Sequence, residues 1–391
     1  MDIIRRPAPA IWLLVLASSI FMAMALPFAG DAKVYENTVR EVRSGISPYL
    51  SGIARLKTNH AMHSQKRTMN YIYPPMTLPL IGALGWTPAW LRISAFWLFY
   101  ASAIWFLLHT EERFLYKGER RVFLCISPLC VFFPGLLNDD FLLAGNIGLI
   151  LYGIVCAVAL WDWKHRQWKW FYLAVLLAFF FKAPMLTLLS IPVLTAAGEW
   201  LKAAITGFIG CSLFLLQGWI WPGTLHDYLQ MMALEGSYNR EFGFGPAGIL
   251  AKTLLYNGVP FQTGYFIFYL VSACAIFLLL LSGSRHYLAG RISTRDWMPV
   301  LLIGVILLNP RIKQYDAEAV TLPMVILAWR ALAARTAAKS LWIALGLALF
   351  AVGNILAAVA EAYDLVEMVL MTSLFAYSFW RLRQKATRSQ E

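Results

Sequence analysis

Apolar stretches close to 20 residues long recur along this chain and constrain its fold more than any other feature. A helix of that length crosses the hydrocarbon core of a bilayer, which is ~30 Å thick. Hydrophobic residues make up 60% of the 391 positions and charged residues only 14%, whereas soluble domains carry about 25% charged residues. A soluble fold of this composition would expose large apolar patches. The pattern predicts an all-α integral membrane protein in which residues 1–391 form a single domain.

The apolar runs predict about 12 transmembrane helices, of which three are short. Lys182-Ala183-Pro184 interrupts one long apolar stretch, and interrupted helices often line a polar cavity. The run over 11–29 is interpreted as a retained helix rather than a cleaved signal peptide, because it is too long for a typical signal. The predicted spans are 11–29, 88–109, 120–136, 141–161, 169–181, 184–197, 203–221, 263–282, 297–308, 317–334, 340–359 and 365–380.

Lysine and arginine residues predict which helix ends face the cytoplasm. With the N-terminus inside, every short inside loop is basic, as the positive-inside rule requires. Both termini are therefore expected in the cytoplasm, with the protein in the plasma (inner) membrane. Residues 30–87 and 222–262 become long extracytoplasmic loops, and 75–87 is expected to lie at the membrane interface as an amphipathic helix. The basic residues behind the net charge of +12 are scattered as short clusters between the apolar runs, so the bilayer is the predicted partner and nucleic acid is not.

Asp31 is the first of several polar residues that gather on the predicted extracytoplasmic side. It lies two residues beyond the first predicted span, at the membrane surface. Partial desolvation at that depth raises the pKa of a carboxyl group toward that of a working base. Taken alone, however, Asp31 is better explained as a solvated loop residue or a helix N-cap.

Six short motifs follow one another along the chain: Asp31 with Tyr35, Gly45-x-x-Pro48-Tyr49, Tyr73-Pro74-Pro75, Gly145-Asn146, Lys182-Ala183-Pro184 and the stretch from Asn309 to Asp316. Taken in order, they resemble those of the GT-C glycosyltransferases of family 87, which are related to polyprenol-phosphate-mannose-dependent mannosyltransferases. The resemblance covers about residues 11–330. The family's G-Q-x-N element lacks its Gln here, and the histidines that many members carry near Asn309 are absent.

This resemblance implies a GT-C-like helical bundle that transfers a hexose, such as mannose, from a polyprenyl-phosphate donor to an extracytoplasmic glycan or lipid acceptor. It implies an inverting reaction in which Asp31 is the general base that deprotonates the acceptor hydroxyl, within hydrogen-bond reach of that proton. The remaining candidates are substrate-binding residues, namely Tyr35, Tyr73, Asn138, Asp139, Asp140, Asn146, Tyr315 and Asp316.

Three basic residues are expected to bind the donor phosphate, namely Lys182, Arg311 and Lys313. Cations beside a leaving phosphate stabilise the charge that develops on it. An equally simple partner for Lys182 is an acidic neighbour such as Asp139, Asp140 or Asp316. The alternative for Arg311 and Lys313 is a solvated loop. Asn138 to Asp140 have the alternative of a helix-end cap with negative charge at the start of the next helix.

No metal or other cofactor is predicted, and two other functions stay open. The first loop contains no Asp-x-Asp triplet, since Ala32 and Lys33 follow Asp31, and His60 and His63 lie in a basic loop. One alternative function is a secondary transporter, which should place ionisable residues near the bilayer midplane and show two related halves. The sequence displays neither property. The other alternative is a non-catalytic partner in the assembly of envelope glycans.

Overall fold

A computed structural model describes residues 31–62, 69–120, 146–236, 243, 245–250, 262–333 and 363–388. Over these ranges the all-α prediction is confirmed, because the regular structure is helical and includes no β-strand. The predicted spans 11–29 and 340–359 lie outside the described residues, as do nearly all of 120–136 and the start of 141–161.

Fourteen α-helices occupy the described ranges and are numbered in chain order. Five 3₁₀ helices join or extend them, at Pro75–Thr77, Glu112–Phe114, Lys117–Glu119, Ala183–Leu189 and Glu318–Val320. The α-helices are α1 Asp31–Arg43, α2 Pro48–Ala61, α3 Leu78–Leu84, α4 Ala89–Glu111, α5 Ile147–His165, α6 Lys169–Phe179, α7 Ser190–Thr195, α8 Trp200–Ile220, α9 Pro222–Leu234, α10 Gln262–Leu288, α11 Thr294–Leu307, α12 Gln314–Ala317, α13 Thr321–Ala333 and α14 Tyr363–Arg388.

Four helical segments in the described ranges are long and apolar enough to cross a membrane: Ala89–Phe114, Ile147–His165, Trp200–Ile220 and Tyr265–Leu288. They correspond to the predicted spans 88–109, 141–161, 203–221 and 263–282. The predicted spans 169–181, 184–197, 297–308 and 317–334 form shorter helices, and 365–380 lies within α14. A total of twelve spans stays a prediction.

The centre of the bundle is α11, although it has only 14 residues. Every residue from Trp297 to Leu307 is buried, because α10, α13, α14 and the segment Ala183–Leu189 surround this helix. In contrast, α8 and α10 expose large apolar side chains such as Phe208, Trp219 and Phe266. An apolar face of this extent requires lipid or another apolar partner, which fits helices that lie at the edge of a membrane bundle.

The segment predicted as the first extracytoplasmic loop is folded into α1, α2 and α3. Its interfacial part is shorter than the expected 75–87, since Pro75–Thr77 forms a 3₁₀ turn and α3 covers only Leu78–Leu84. Prolines at the starts of both elements limit their length. Ile81 is buried, whereas Leu80 and Leu84 are exposed, so α3 has one face against the protein, where it contacts α1, and one exposed apolar face.

An ion pair holds α1, which carries Asp31, against the first turn of α4. Arg92 donates from Nε to Glu36 Oε1 at 2.9 Å and from NH2 to Glu36 Oε2 at 2.5 Å. Arg92 falls inside the predicted span 88–109, yet it lies at the end of α4 where the polar segments begin. This bidentate contact helps to orient α1 and its functional face.

Segments predicted to lie in the cytoplasm contact one another through a cluster of ion pairs. Arg330 donates from Nε and NH2 to the two carboxylate oxygens of Glu119, at 2.5 and 2.9 Å. Lys385 Nζ donates to Asp296 Oδ2 at 2.7 Å, and Arg330 lies 3.9 Å from Asp296 Oδ1. Glu119, Asp296 and Lys385 come from three different predicted inside segments, and Arg330 lies near the predicted inner end of the span 317–334.

Arg330→Ala is expected to lower the free energy of unfolding by about 2 kcal/mol, because Glu119 keeps its charge but loses two charge-assisted hydrogen bonds. Only 8% of the Glu119 side chain is exposed. Lys385→Ala is the matched control, since its side chain is 62% exposed and such pairs contribute less than about 1 kcal/mol. Thermal unfolding in detergent measures the stability of both variants. Equal losses of stability would contradict the larger contribution assigned to the Arg330–Glu119 pair.

Candidate active site

One face of α1 docks on the first turn of α5 and brings Asp31 to Asn146. Asp31 and Tyr35 are four positions apart on a helix, so their side chains lie on the same face. Asn146 Nδ2 donates a hydrogen bond to Asp31 Oδ2, and the backbone N–H of Ile147 donates to the Tyr35 hydroxyl at 3.1 Å. Two of the quoted motifs, far apart in the chain, therefore meet.

Asn146 acts as the N-cap of α5, which is a favoured position for asparagine. Its Oδ1 accepts a hydrogen bond from the backbone N–H of Gly148 at 2.7 Å. Both ends of the side-chain amide thus contact the protein, although the sequence predicts a substrate-binding role. The Tyr35 hydroxyl is likewise engaged, by the N–H of Ile147 and by the Tyr73 hydroxyl at 2.6 Å.

Lys182 forms an ion pair with Asp316, so the salt-bridge alternative describes this structure. The Nζ–Oδ1 distance is 2.7 Å, and the side chains of Lys182 and Asp316 are 13% and 3% exposed. Extended backbone at Lys182 follows the end of α6. The other two acids considered for Lys182, Asp139 and Asp140, lie outside the described residues.

The turn between α11 and α12 is anchored by Asp316 and by Asn309. Asp316 Oδ2 accepts the backbone N–H of Lys313 at 3.1 Å. Asn309 Nδ2 donates to the Tyr152 hydroxyl at 2.7 Å, while Asn309 Oδ1 accepts the backbone N–H of Arg311 at 2.9 Å. The backbone N–H groups of Arg311 and Lys313 therefore bond to the buried side chains of Asn309 and Asp316, and these bonds fix the position of the turn.

Tyr152 is a residue of this site that sequence reasoning missed. Its ring centroid lies 5.8 Å from Lys182 Nζ, and its hydroxyl accepts from Asn309. It stands inside the apolar run of α5, where nothing in the local pattern separates it from a packing residue. Asn309 carried a signal, because it begins the polar stretch that ends at Asp316.

The segment that is predicted as the second extracytoplasmic loop contacts the turn at a glycine. Gly243 has φ of +75°, and a Cβ at this position would lie 2.4 Å from the carbonyl oxygen of Ile312. Such an approach requires glycine on both steric grounds and backbone grounds. Gly243, and Gly245 whose Cβ would lie 3.4 Å from the Ile312 side chain, therefore pack directly against the turn that carries Arg311 and Lys313.

Asp31 experiences two opposing electrostatic effects. Burial is the larger one and raises the pKa of the Asp31 carboxyl group above its ordinary value. The hydrogen bond from Asn146 and the positive charges of Lys182, Lys313 and Arg311 lower it in part. The three predicted phosphate-binding cations are thus within electrostatic range of the predicted base.

Some of the remaining predicted site residues belong to the described ranges, and others do not. Tyr73 lies in a buried cluster with Tyr49 and Tyr71, and Asp316 has both carboxylate oxygens in contact with Lys182 and Lys313. Asn138, Asp139 and Asp140 lie outside the described residues, as does the side chain of Tyr315. The predicted absence of a metal stays a prediction.

No family model matches the chain, and neither a curated protein nor a solved structure matches it. What the fold and the site define is a class: an all-α protein with helices able to span a membrane and a partly buried carboxyl group within electrostatic range of three cations.

Proposed function

We propose that this chain is a GT-C-type membrane glycosyltransferase that moves a hexosyl group from a polyprenyl-phosphate donor to an extracytoplasmic glycan or lipid acceptor. Both of its termini lie in the cytoplasm of a cell whose plasma membrane the chain spans, and Asp31 faces the other side. The resemblance to family 87 contributes the donor and the inverting stereochemistry. Asp31 is the proposed base, and Lys182, Arg311 and Lys313 supply the positive charge for the phosphate.

The observation that carries the proposal is that Asp31 lies within electrostatic range of Lys182, Arg311 and Lys313. A carboxyl group whose pKa is raised by burial is suited to accept a proton near neutral pH. The cations give a lipid phosphate a complementary site. Transfer of a sugar from a phosphate carrier requires both a base and a site for the phosphate anion.

The reaction balances as a single displacement at the anomeric carbon. The acceptor oxygen forms the new bond to that carbon while its proton passes to Asp31, and the bond from the carbon to the phosphate oxygen breaks. The electron pair of that bond leaves with the polyprenyl phosphate, which gains one negative charge. Because the cations interact more strongly with the product phosphate than with the donor, they lower the barrier rather than only tightening binding.

A donor assay tests this proposal directly. Purified protein in liposomes is expected to release polyprenyl phosphate from polyprenyl-phosphate mannose when a glycolipid extract is present, and to do so equally in EDTA. A nucleotide sugar supplied without the lipid carrier is the control and should give no transfer. Sugar transfer from the nucleotide sugar alone would overturn the assignment of the donor.

A transporter is the second candidate, and the Lys182–Asp316 pair favours it. Buried ionisable residues between two short, interrupted helices also occur at the substrate sites of secondary transporters. Uptake of a labelled hexose phosphate into proteoliposomes, with no sugar transfer in the donor assay, would support this alternative. Absence of both activities would favour a non-catalytic partner in glycan assembly.

A further inference from the structure

We propose that Asn146 is the positioning residue of Asp31, holding Oδ2 so that Oδ1 is the atom that accepts the acceptor's proton. This inference rests on the proposed function, and it assigns to Asn146 a role different from substrate binding. Its basis is the geometry of the contact between α1 and α5.

The first step is that Asn146 has only one orientation available. Its Oδ1 accepts the Gly148 N–H at 2.7 Å as the cap of α5, so its Nδ2 must point away from that helix. In this orientation Nδ2 meets Asp31 Oδ2. The amide cannot rotate without leaving the Gly148 N–H, a donor at a buried helix end, without its acceptor.

The second step is that Tyr35 prevents α1 from sliding along α5. Its hydroxyl accepts the Ile147 N–H at 3.1 Å and contacts the Tyr73 hydroxyl at 2.6 Å. Asp31 and Tyr35, one turn apart on α1, therefore form hydrogen bonds to the consecutive residues Asn146 and Ile147. A carboxylate held at two points along its helix keeps one oxygen in a defined direction, as a general base requires.

The third step concerns the charged form of Asp31. Within the described ranges, the groups that act on this carboxyl group are Asn146 of α5, Lys182 after α6, and Arg311 and Lys313 of the turn before α12. Tyr35 of α1 also interacts with it. Among these, Asn146 is the neutral donor that bonds the carboxylate directly. Its Nδ2 favours the ionised form, so loss of this donor raises the pKa of Asp31 further.

The sign of the pH effect follows from the direction of that shift. Asp31 accepts a proton only when it is ionised, so activity falls as the pH drops through its raised pKa. Without the Asn146 donor, the acid limb of the rate profile moves to higher pH. On that limb, loss of one hydrogen bond to a charged group corresponds to about a tenfold lower kcat/KM.

Two substitutions separate positioning from helix capping. Asn146→Ser and Asn146→Asp both keep an oxygen that can cap α5, but neither supplies an amide donor to Asp31. The aspartate also adds a like charge. The acid limb is therefore expected to move to higher pH in the order wild type, Asn146→Ser, Asn146→Asp. Ser47→Ala, which removes the N-cap of α2 away from the site, is the matched control and should leave the limb unmoved.

A second readout works without turnover. Infrared difference spectra, with Asp31→Asn as the reference, report the protonation of the Asp31 carboxyl group across pH in the intact protein. Its midpoint should move in the same order as the acid limb. If the Asn146 variants fold and neither the midpoint nor the limb moves, the positioning role is wrong even when Asp31 is the base. If Asp31→Asn itself retains turnover, the proposed function fails instead.

Discussion

Asp31→Asn is expected to lower the rate of sugar transfer by about 10²- to 10⁴-fold, which is the usual contribution of a positioned general base. Asparagine has nearly the same shape and can still accept the hydrogen bond from Asn146. It also removes a carboxyl group whose pKa is raised by burial. Above the ordinary pKa of aspartate, burial of the ionised Asp31 destabilises the folded protein relative to the unfolded chain. The neutral replacement should therefore cost little stability at pH 7.

Turnover with polyprenyl-phosphate mannose and thermal unfolding of the same preparation measure the two parts of this expectation. Asp227→Asn is a matched control, since Asp227 lies in α9, which contacts α2, and has no role in the proposed reaction. Wild-type turnover in Asp31→Asn would remove Asp31 as the base. A large loss of turnover in Asp227→Asn would show that the assay responds to the removal of any carboxylate on the predicted extracytoplasmic segments.

The second large effect concerns the Lys182–Asp316 ion pair. Lys182→Met or Asp316→Asn alone is expected to lower the free energy of unfolding by about 3 to 5 kcal/mol, because each leaves the other charge buried without its partner. The pair is nearly inaccessible to solvent, with side chains 13% and 3% exposed. The double variant Lys182→Met with Asp316→Asn should regain most of that stability, since neither charge then remains.

Activity and stability are expected to separate in the double variant. If Lys182 binds the donor phosphate, as proposed, the double variant stays inactive although it is folded, and its KM for the donor rises. Unfolding in denaturant and donor kinetics on all three variants provide the measurements. Recovery of wild-type kinetics in the double variant would show that the pair is only structural and would leave Arg311 and Lys313 as the phosphate ligands.

Parts of the fold were predictable because hydrophobicity is a local property of the chain. The apolar runs located α4, α8 and α10 to within a few residues, except that α10 continues to Leu288, six residues beyond the predicted span. They were less informative where Pro184 follows the Lys182 break, since the predicted span 184–197 is divided into a 3₁₀ segment and the short helix α7. A proline near a helix start removes a backbone donor, and the local pattern does not say which helical form replaces the regular one.

The members of the candidate site were predictable in part, but their partners were not. Asp31, Asn146, Lys182, Lys313 and Asp316 were singled out from short motifs. The structure pairs Asp31 with Asn146 and joins Lys182 and Lys313 to Asp316, and both cations are within electrostatic range of Asp31. Sequence reasoning left the partner of Lys182 open between a phosphate and three aspartates. It treated Asn146 and Tyr35 as substrate ligands, whereas their polar groups contact the protein.

The sequence by itself therefore determined the all-α class, the apolar helices and the segments in which polar residues concentrate, because each of these depends on neighbouring residues in the chain. Only the tertiary structure decided that Asp316 neutralises Lys182, that Asn146 holds Asp31 and that Tyr152 lies under the cation. The partners in these contacts are more than 100 positions apart in the chain or, for Tyr152, hidden in an apolar helix. Which of them meet depends on how the whole bundle packs, with α11 at its centre.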